Sequence, residues 1–249
     1  MTDSDPANAV SSKIQAQCDQ YVVNSGSGFD DNLLGFYERH LSNFEYVLSV
    51  SDDDIFAPSD INSLFLLDLA ANAGADAVIF NHYDFRLNND STISIGNPYY
   101  NSPVLQFDKK ALFNLHLRSL PRHIGLMYSV PALLRNIEKI AQFKNTLHLY
   151  AAPFLFAARD GSACFANYPL LCFSNNGATD GAWEHGDRVF NGLLRFAKLL
   201  KQHLSSVDYS TAISGFMASY FASHASLRIE LTRRGYELIP EHSIAEHLA

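Results

Sequence analysis

The chain has 249 residues, 47% of them hydrophobic and 18% charged, with a net charge of −8. This composition suits a globular protein of one domain or a little more, and excludes a general nucleic-acid binder, whose phosphate contacts need a basic surface. No run approaches the roughly eighteen uninterrupted apolar residues of a spanning helix, and the polar start MTDSDPANAVSSK lacks the segments of a signal peptide, so a cytoplasmic protein is expected.

Residues 1–20 are polar and expected to be frayed, and Cys18, Cys164 and Cys172, odd in number and without zinc-ligand spacing, read as packing residues in a reducing compartment. Phe44 to Val50 reads as a buried strand that delivers Asp52, Asp53 and Asp54 to one edge of a sheet. Adjacent carboxylates repel one another and resist desolvation unless a cation, a donor or water compensates them. A divalent metal is the obvious compensation: hard oxygen ligands select Mg²⁺, Mn²⁺ or Ca²⁺ and leave coordination positions open for substrate phosphates. The competing reading is a solvated acidic turn that caps the next helix. That helix starts with Ser59 or Asp60 as N-cap, carries Ile61, Leu64, Phe65, Leu67 and Leu69, and ends at Gly74. Asp76 to His82 is the next apolar run, so residues 44–82 predict a strand, helix, strand unit with parallel strands. In open parallel sheets the ligand crevice lies beyond the carboxyl ends of the strands, where Asp52 to Asp54 fall.

Residues 86–107, rich in Asn, Ser, Gly, Pro and Tyr, predict a hairpin excursion, and 108–118 a helix. Residues 131–142 predict another helix, with Pro131 in its first turn and Leu134, Ile137 and Ile140 on one side. Asn145 to Arg159 reads as a strongly apolar helix that Pro153 kinks or starts late, and Asp160-Gly161 stops it. Ala163 to Phe173 is a strand candidate and 175–181 a turn-rich loop, while 187–204 and 208–235 read as helices.

Gly28-Phe-Asp-Asp-Asn32, then Glu45-Tyr-Val-Leu-Ser-Val-Ser-Asp-Asp-Asp-Ile-Phe-Ala-Pro58, whose acidic run starts about twenty residues after Asn32, then the Asp76-Ala-Val-Ile-Phe-Asn81 strand, resembles a family-two glycosyltransferase, as far as about residue 175. The resemblance implies an α/β, GT-A-like fold: an open, mostly parallel, Rossmann-like sheet with flanking helices, N-terminally shortened here and followed by a helical C-terminal extension. The transferase domain is then expected at 21–180 and the extension at 181–249. The resemblance also implies Asp53 as principal ligand of Mn²⁺ or Mg²⁺, bridging to the diphosphate of a nucleotide sugar. Asp54 would ligate through water or hold the turn, and Asp52 would face the ribose or diphosphate. Such an ion neutralises the leaving nucleoside diphosphate. Gly28 and Asn32 match the element that approaches the donor phosphates, although Asn32 fits equally well as a helix-capping residue. The subgroup that looks closest acts in surface polysaccharide synthesis.

Two departures from the family pattern shape the expectations. Only some twenty polar residues precede Tyr21, where the family has the strand, helix, strand unit that binds the base. The chain is therefore expected to be truncated, to rely on a protein partner for the missing half, or to have lost transfer. Inverting members carry an Asp or Glu base at the start of a later helix, and the matching place here is Thr146-Leu-His148-Leu. An imidazole at His148 titrates near neutrality and can take the proton of an acceptor hydroxyl; the alternative is a histidine packed at a helix start. Asp160, Glu184, His185 and Asp187 are nearby alternatives, Asp160 fitting a turn residue.

Trp183 beside Glu184 in a Gly-rich loop is a way to stack and hydrogen-bond an acceptor sugar, against an ordinary surface loop. In 187–204, Val189, Leu193, Ala197, Leu200 and Leu204 form a stripe with Arg195, Lys198 and Lys201 away from it. Such a helix either touches the inner face of a membrane carrying a lipid-linked acceptor or packs on its own domain. The leading expectation is an inverting, metal-dependent glycosyltransferase acting on a saccharide or lipid-linked acceptor. Its rivals are a non-catalytic accessory protein that pairs with a complete transferase, and an unrelated doubly wound phosphoryl-transfer enzyme. The latter is disfavoured because no Asp-x-Asp-x-Thr pattern accompanies the acids.

Overall fold

The computed structural model describes residues 2–3, 22–23, 28–50, 55–57, 63–87, 93–98, 105–106, 108–113, 125–174 and 186–214, with isolated positions at 229, 232–233, 235, 237 and 244. Thr2–Asp3 (β1) and Val22–Val23 (β2) pair in parallel as a small sheet of their own. The first helix, α1 (Phe29–His40), has Asp30 and Asp31 in its first turn and Arg39 and His40 in its last, charges that complement the helix dipole at both ends. It buries Leu34 and Tyr37 against the core, with Leu41 just beyond its end.

The main sheet comprises β3 (Tyr46–Ser49), β4 (Ile55–Phe56), β5 (Ala77–Leu87), β6 (Ile93–Pro98), β7 (Leu105–Gln106), β8 (Leu126–Ser129) and β9 (Ala163–Ser174). Its main path runs β3-β8-β5-β9-β4, with β6 also paired to β5 and β7 to β9. Helix α2 (Ser63–Ala73) connects β4 to β5. The others are α3 (Val130–Arg135), α4 (Ile137–Ala141), α5 (Ala152–Asp160) and α6 (Gly186–Leu200), and residues 206–214 are helical as well.

Side chains alternate across a strand, and the core divides accordingly. Ala77 and Ile79 of β5, Ala163 and Phe165 of β9, and Leu126 and Tyr128 of β8 face a large core with α1, α3, α5 and α6. Val78, Phe80, Met127, Cys164 and Ala166 face the opposite side, where Leu66 and Ala70 of α2 cover them. Helices on both faces of one sheet make an α/β layered structure. Cys164 and Cys172 are buried, and burial pushes the Cys164 thiol up to about 11, as expected of packing residues; Cys18 lies outside the described residues.

The expected sheet order is corrected in one respect. Tyr46–Ser49 and Ala77–Leu87 do run in the same direction, but each pairs antiparallel with β8, which lies between them. Among the described residues only β5 with β9 is a parallel pair in this sheet, so it is mixed rather than mostly parallel. β8 is only four residues long and runs straight into α3, whose N-cap is Ser129 with Pro131 in the first turn. Such a short apolar run before a helix carries no strand signature of its own. A second correction follows from the order: β3 is an edge strand and only half-buried, with Phe44 54% exposed.

Other expectations agree with the structure. α2 ends at Gly74 and a helix covers 109–113, whereas the two runs expected to form a hairpin excursion pair with separate strands, β6 with β5 and β7 with β9. Pro153 starts α5 late, after a 3-10 turn at Leu149–Ala151. Gly161, at φ 81, closes α5 in the left-handed region that a residue with a Cβ resists.

Candidate functional site

Asp52, Asp53 and Asp54, together with Trp183, Glu184 and His185, lie outside the described residues. The strands on either side of the acidic run are described, and they lie on opposite edges of the main path. Ser49 at the end of β3 is in register with Leu126, which pairs with Ile79 of β5. Ile55 at the start of β4 is in register with Cys172, which pairs with Tyr83 of β5. Between these two levels of β5 lie Asn81 and His82, both buried.

The β5 and β9 ladder slips at Phe80, Asn81 and His82, an irregularity of the kind that re-aims side chains near functional sites. Asn81 donates through its side-chain amide to the Asn167 side-chain oxygen of β9, and the His82 backbone N–H donates to Asn81 Oδ1 at 2.9 Å. The sequence reading passed over these three residues. Their signal was available: polar groups interrupt otherwise apolar runs, and a buried polar group must be bonded.

The clearest assembly joins the Gly28 to Asn32 segment to the Thr146 to His148 turn. Gly28 stands at the N-cap of α1, with extended backbone, and its carbonyl accepts from the Asn32 N–H at 3.0 Å. The helix begins at Phe29 with Gly28 as its N-cap, so Asn32 lies inside the first turn rather than at the cap expected for it. Asp30 is 4% exposed, and its Oδ2 accepts from the backbone N–H groups of Thr146 at 3.0 Å and Leu147 at 2.9 Å. Burial raises the Asp30 carboxyl pKa, while backbone hydrogen bonds from the 145–149 segment oppose that rise. Next to it, Asp31 forms an ion pair with Lys144.

The turn thus held is strained. Asn145 and Leu147 have φ values of 66 and 63, a conformation costing about 1–3 kcal/mol per residue without a glycine and surviving only where its surroundings impose it. Thr146 Oγ1 donates to the Phe143 carbonyl at 2.7 Å and accepts from the His148 N–H at 3.1 Å. Arg195 of α6 donates to the Asn145 carbonyl at 3.0 Å. Gly192 of α6 lies so close that a Cβ there would sit 2.0 Å from the Thr146 carbonyl oxygen.

His148 follows this turn directly, before the 3-10 turn at Leu149–Ala151 that leads into α5. The residue is 3% exposed, its ring Nδ1 lies 3.3 Å from Tyr150 Oη, and the ring meets Phe196 edge-on at 6.3 Å. Tyr128 Oη donates to the Tyr150 carbonyl at 2.6 Å, and Phe29 of α1 packs edge-on against Tyr150 at 6.2 Å. Burial raises the Tyr150 hydroxyl pKa well above its ordinary range, and the charge of Asp30 adds to the rise.

The remaining expectations have plain locations. Asp160 is bound by Arg159 through two hydrogen bonds at 2.6 and 2.8 Å beside Gly161, a helix-end pair, and Arg159 holds its carboxyl below the usual range. Leu193, Ala197 and Leu200 of α6, with Leu204 beyond its end, are packed into the large core, while Lys198 and, just past the helix, Lys201 face outward. Among the described residues no helix is long and apolar enough to cross a membrane. A cleft of about 250 Å³ lies at the amino edge of β5 and β9, between Asp76, Arg135, Lys139, Arg159 and Ser162. Two of its cations already have carboxylate partners, Arg135 with Asp76 and Arg159 with Asp160, and it faces away from the carboxyl end of β3. Comparison with protein-family models and with curated proteins found no match for the chain.

Proposed function

We propose that this chain is an inverting, divalent-metal-dependent glycosyltransferase of GT-A type, moving a sugar from a nucleotide-diphosphate donor to a saccharide or lipid-linked acceptor. The observation that carries this reading is the bonding of the Gly28 to Asn32 segment to the Thr146 to His148 turn. These pieces, 116 residues apart, are the ones the family resemblance assigns to the donor phosphates and to the base. The sheet adds support, because the acidic run follows β3, and β3 and β5 share a direction across an antiparallel β8.

Asp52, Asp53 and Asp54 are a hard-oxygen donor set that fits Mn²⁺ or Mg²⁺, and such an ion supplies charge neutralisation to the leaving nucleoside diphosphate when bound. Asp53 and Asp54 would hold it, with Asp52, Asn32 and Gly28 on the donor. His148 takes the acceptor hydroxyl proton at Nε2 as that oxygen bonds to the anomeric carbon, and the electron pair of the breaking bond leaves with the diphosphate. Trp183 and Glu184 suit the acceptor sugar by stacking and hydrogen bonding. The burial of His148 favours a second reading, an accessory transferase-like subunit in which the turn is structural.

Incubating the chain with Mn²⁺, UDP, GDP or CDP sugars and a mixture of saccharide and lipid-linked acceptors separates the two readings. Transfer predicts release of nucleoside diphosphate with one base class, stopped by EDTA. Donor binding without release by the chain alone would support the accessory reading instead.

A further inference from the structure

The cleft of about 250 Å³ at the amino edge of β5 and β9 has no part in the transfer proposed above. We propose that it is a second binding site, for a small monocarboxylate with an apolar body, and that Arg135 and Lys139 hold the carboxylate. This assignment does not depend on the transferase reading.

The joint between α3 and α4 builds the rim. α3 ends at Arg135 and α4 begins at Ile137, and between them the Asn136 side-chain amide donates back to the Ala132 carbonyl at 3.1 Å. Arg135 and Lys139, on either side of this joint, line the same cleft, together with Arg159 of α5. Against these three cations stand two lining carboxylates, Asp76 and Asp160, so the rim keeps a positive charge on a chain whose net charge is −8.

The three cations are not equally committed. Arg159 donates from Nε and Nη2 to Asp160 at 2.6 and 2.8 Å and from Nη1 to the His203 carbonyl at 3.4 Å, and it lies over the Phe156 ring at 5.2 Å. Arg135 makes one contact of 3.5 Å with Asp76, from a side chain 64% exposed. A pair so long and so open to water is weak and gives way to a better placed acceptor. Lys139 has no carboxylate within ion-pair distance among the described residues. A loosely held guanidinium beside an unmatched ammonium is a seat for one carboxylate.

The rest of the cleft sets the class of ligand. Leu133, Ile140, Pro153 and Ala157 wall it, so the body of the ligand is apolar. At roughly 30 Å³ per water the space equals about eight waters, enough for an acid of about ten non-hydrogen atoms. A phosphate ester fits less well, because Asp76 and Asp160 share the rim and repel a second negative charge.

Amide chemical-shift titration of the ¹⁵N-labelled chain with benzoate near neutral pH tests the proposal, with acetate, benzyl alcohol and phenyl phosphate as comparisons. Benzoate is expected to give saturable shifts in segments 132–140 and 157–162. Acetate, which lacks the body, benzyl alcohol, which lacks the charge, and phenyl phosphate, which carries too much of it, should all bind more weakly. Arg135→Gln and Lys139→Gln should each weaken benzoate binding about tenfold or more, the effect of losing a charged hydrogen bond. Both residues are exposed, so neither substitution disturbs the core. Lys198→Gln removes the same charge from an exposed position on α6 and should leave binding unchanged. No saturable shift with benzoate, shifts confined to other segments, acetate or benzyl alcohol binding as well as benzoate, or equal effects of Lys139→Gln and Lys198→Gln would overturn the proposal. Phenyl phosphate binding more tightly than benzoate would overturn the monocarboxylate assignment.

Discussion

Asp53→Ala is expected to abolish both donor binding and transfer, whereas His148→Ala is expected to abolish transfer and leave donor binding nearly intact. The two substitutions act on different parts of the barrier. Asp53 belongs to the carboxylate set that would carry the metal and, through it, the diphosphate. Its loss removes several kcal/mol of charge stabilisation, about a thousandfold or more in rate, along with ground-state affinity for the donor. In the proposed mechanism His148 acts on the acceptor hydroxyl, and a general base contributes about 10²–10⁴-fold without holding the donor. The check is to measure donor affinity and kcat for both variants under one set of conditions. A His148→Ala chain that transfers at the unaltered rate would remove His148 from the mechanism, and an Asp53→Ala chain that still binds donor in the presence of Mn²⁺ would remove the acidic run from the donor site.

The second large effect concerns stability, and its sign is unusual. In a helix interior, Gly→Ala ordinarily stabilises by about 1 kcal/mol through helix propensity. Gly192→Ala should do the reverse, because the new Cβ would meet the Thr146 carbonyl oxygen at 2.0 Å, a backbone atom that cannot swing aside. Forcing the helix and the turn apart costs about 1–3 kcal/mol, as overpacking does elsewhere, and more if the Asp30 bonds break with it. The melting temperature should therefore fall, by about 2–4 °C for each kcal/mol in a chain of this size. Gly28→Ala is the matching control: among the described residues no atom lies within 4 Å of its Cβ position and its backbone is extended, so it should cost only the roughly 1 kcal/mol or less of placing Ala at a helix N-cap. A Gly192→Ala chain that melts higher than the unaltered one would mean that α6 and the turn are not in this close contact.

Much of the fold was legible because it rests on local signals. Apolar periodicity marked α2 and α6, Pro131 and Pro153 marked the starts of α3 and α5, and Gly74 and Gly161 marked helix ends. β8 was not legible: Leu126–Ser129 is too short for a periodic pattern, and its place between β3 and β5 is a tertiary fact that puts two antiparallel pairings where one parallel pairing was expected. The site divided along the same line. His148 was proposed from the resemblance, by its match to the place of a base at a helix start, and Gly28 and Asn32 from a motif. Asp30 sits inside that motif and was passed over, because its partners are 116 and 117 residues away and no local pattern announces them. Asn81, His82 and Asn167 were missed for a related reason: their pairing exists only once β5 and β9 lie side by side.

Thermal unfolding of the chain with UDP, GDP and CDP sugars, each with Mn²⁺ and with EDTA, tests the central claim most directly. One class of donor should raise the transition only when Mn²⁺ is present, with stabilisation of about 2.7 kcal/mol at one hundred times the dissociation constant, and Asp53→Ala should lose the rise. A transition that no nucleotide sugar moves, with or without metal, would contradict the assignment of this chain as a nucleotide-sugar transferase.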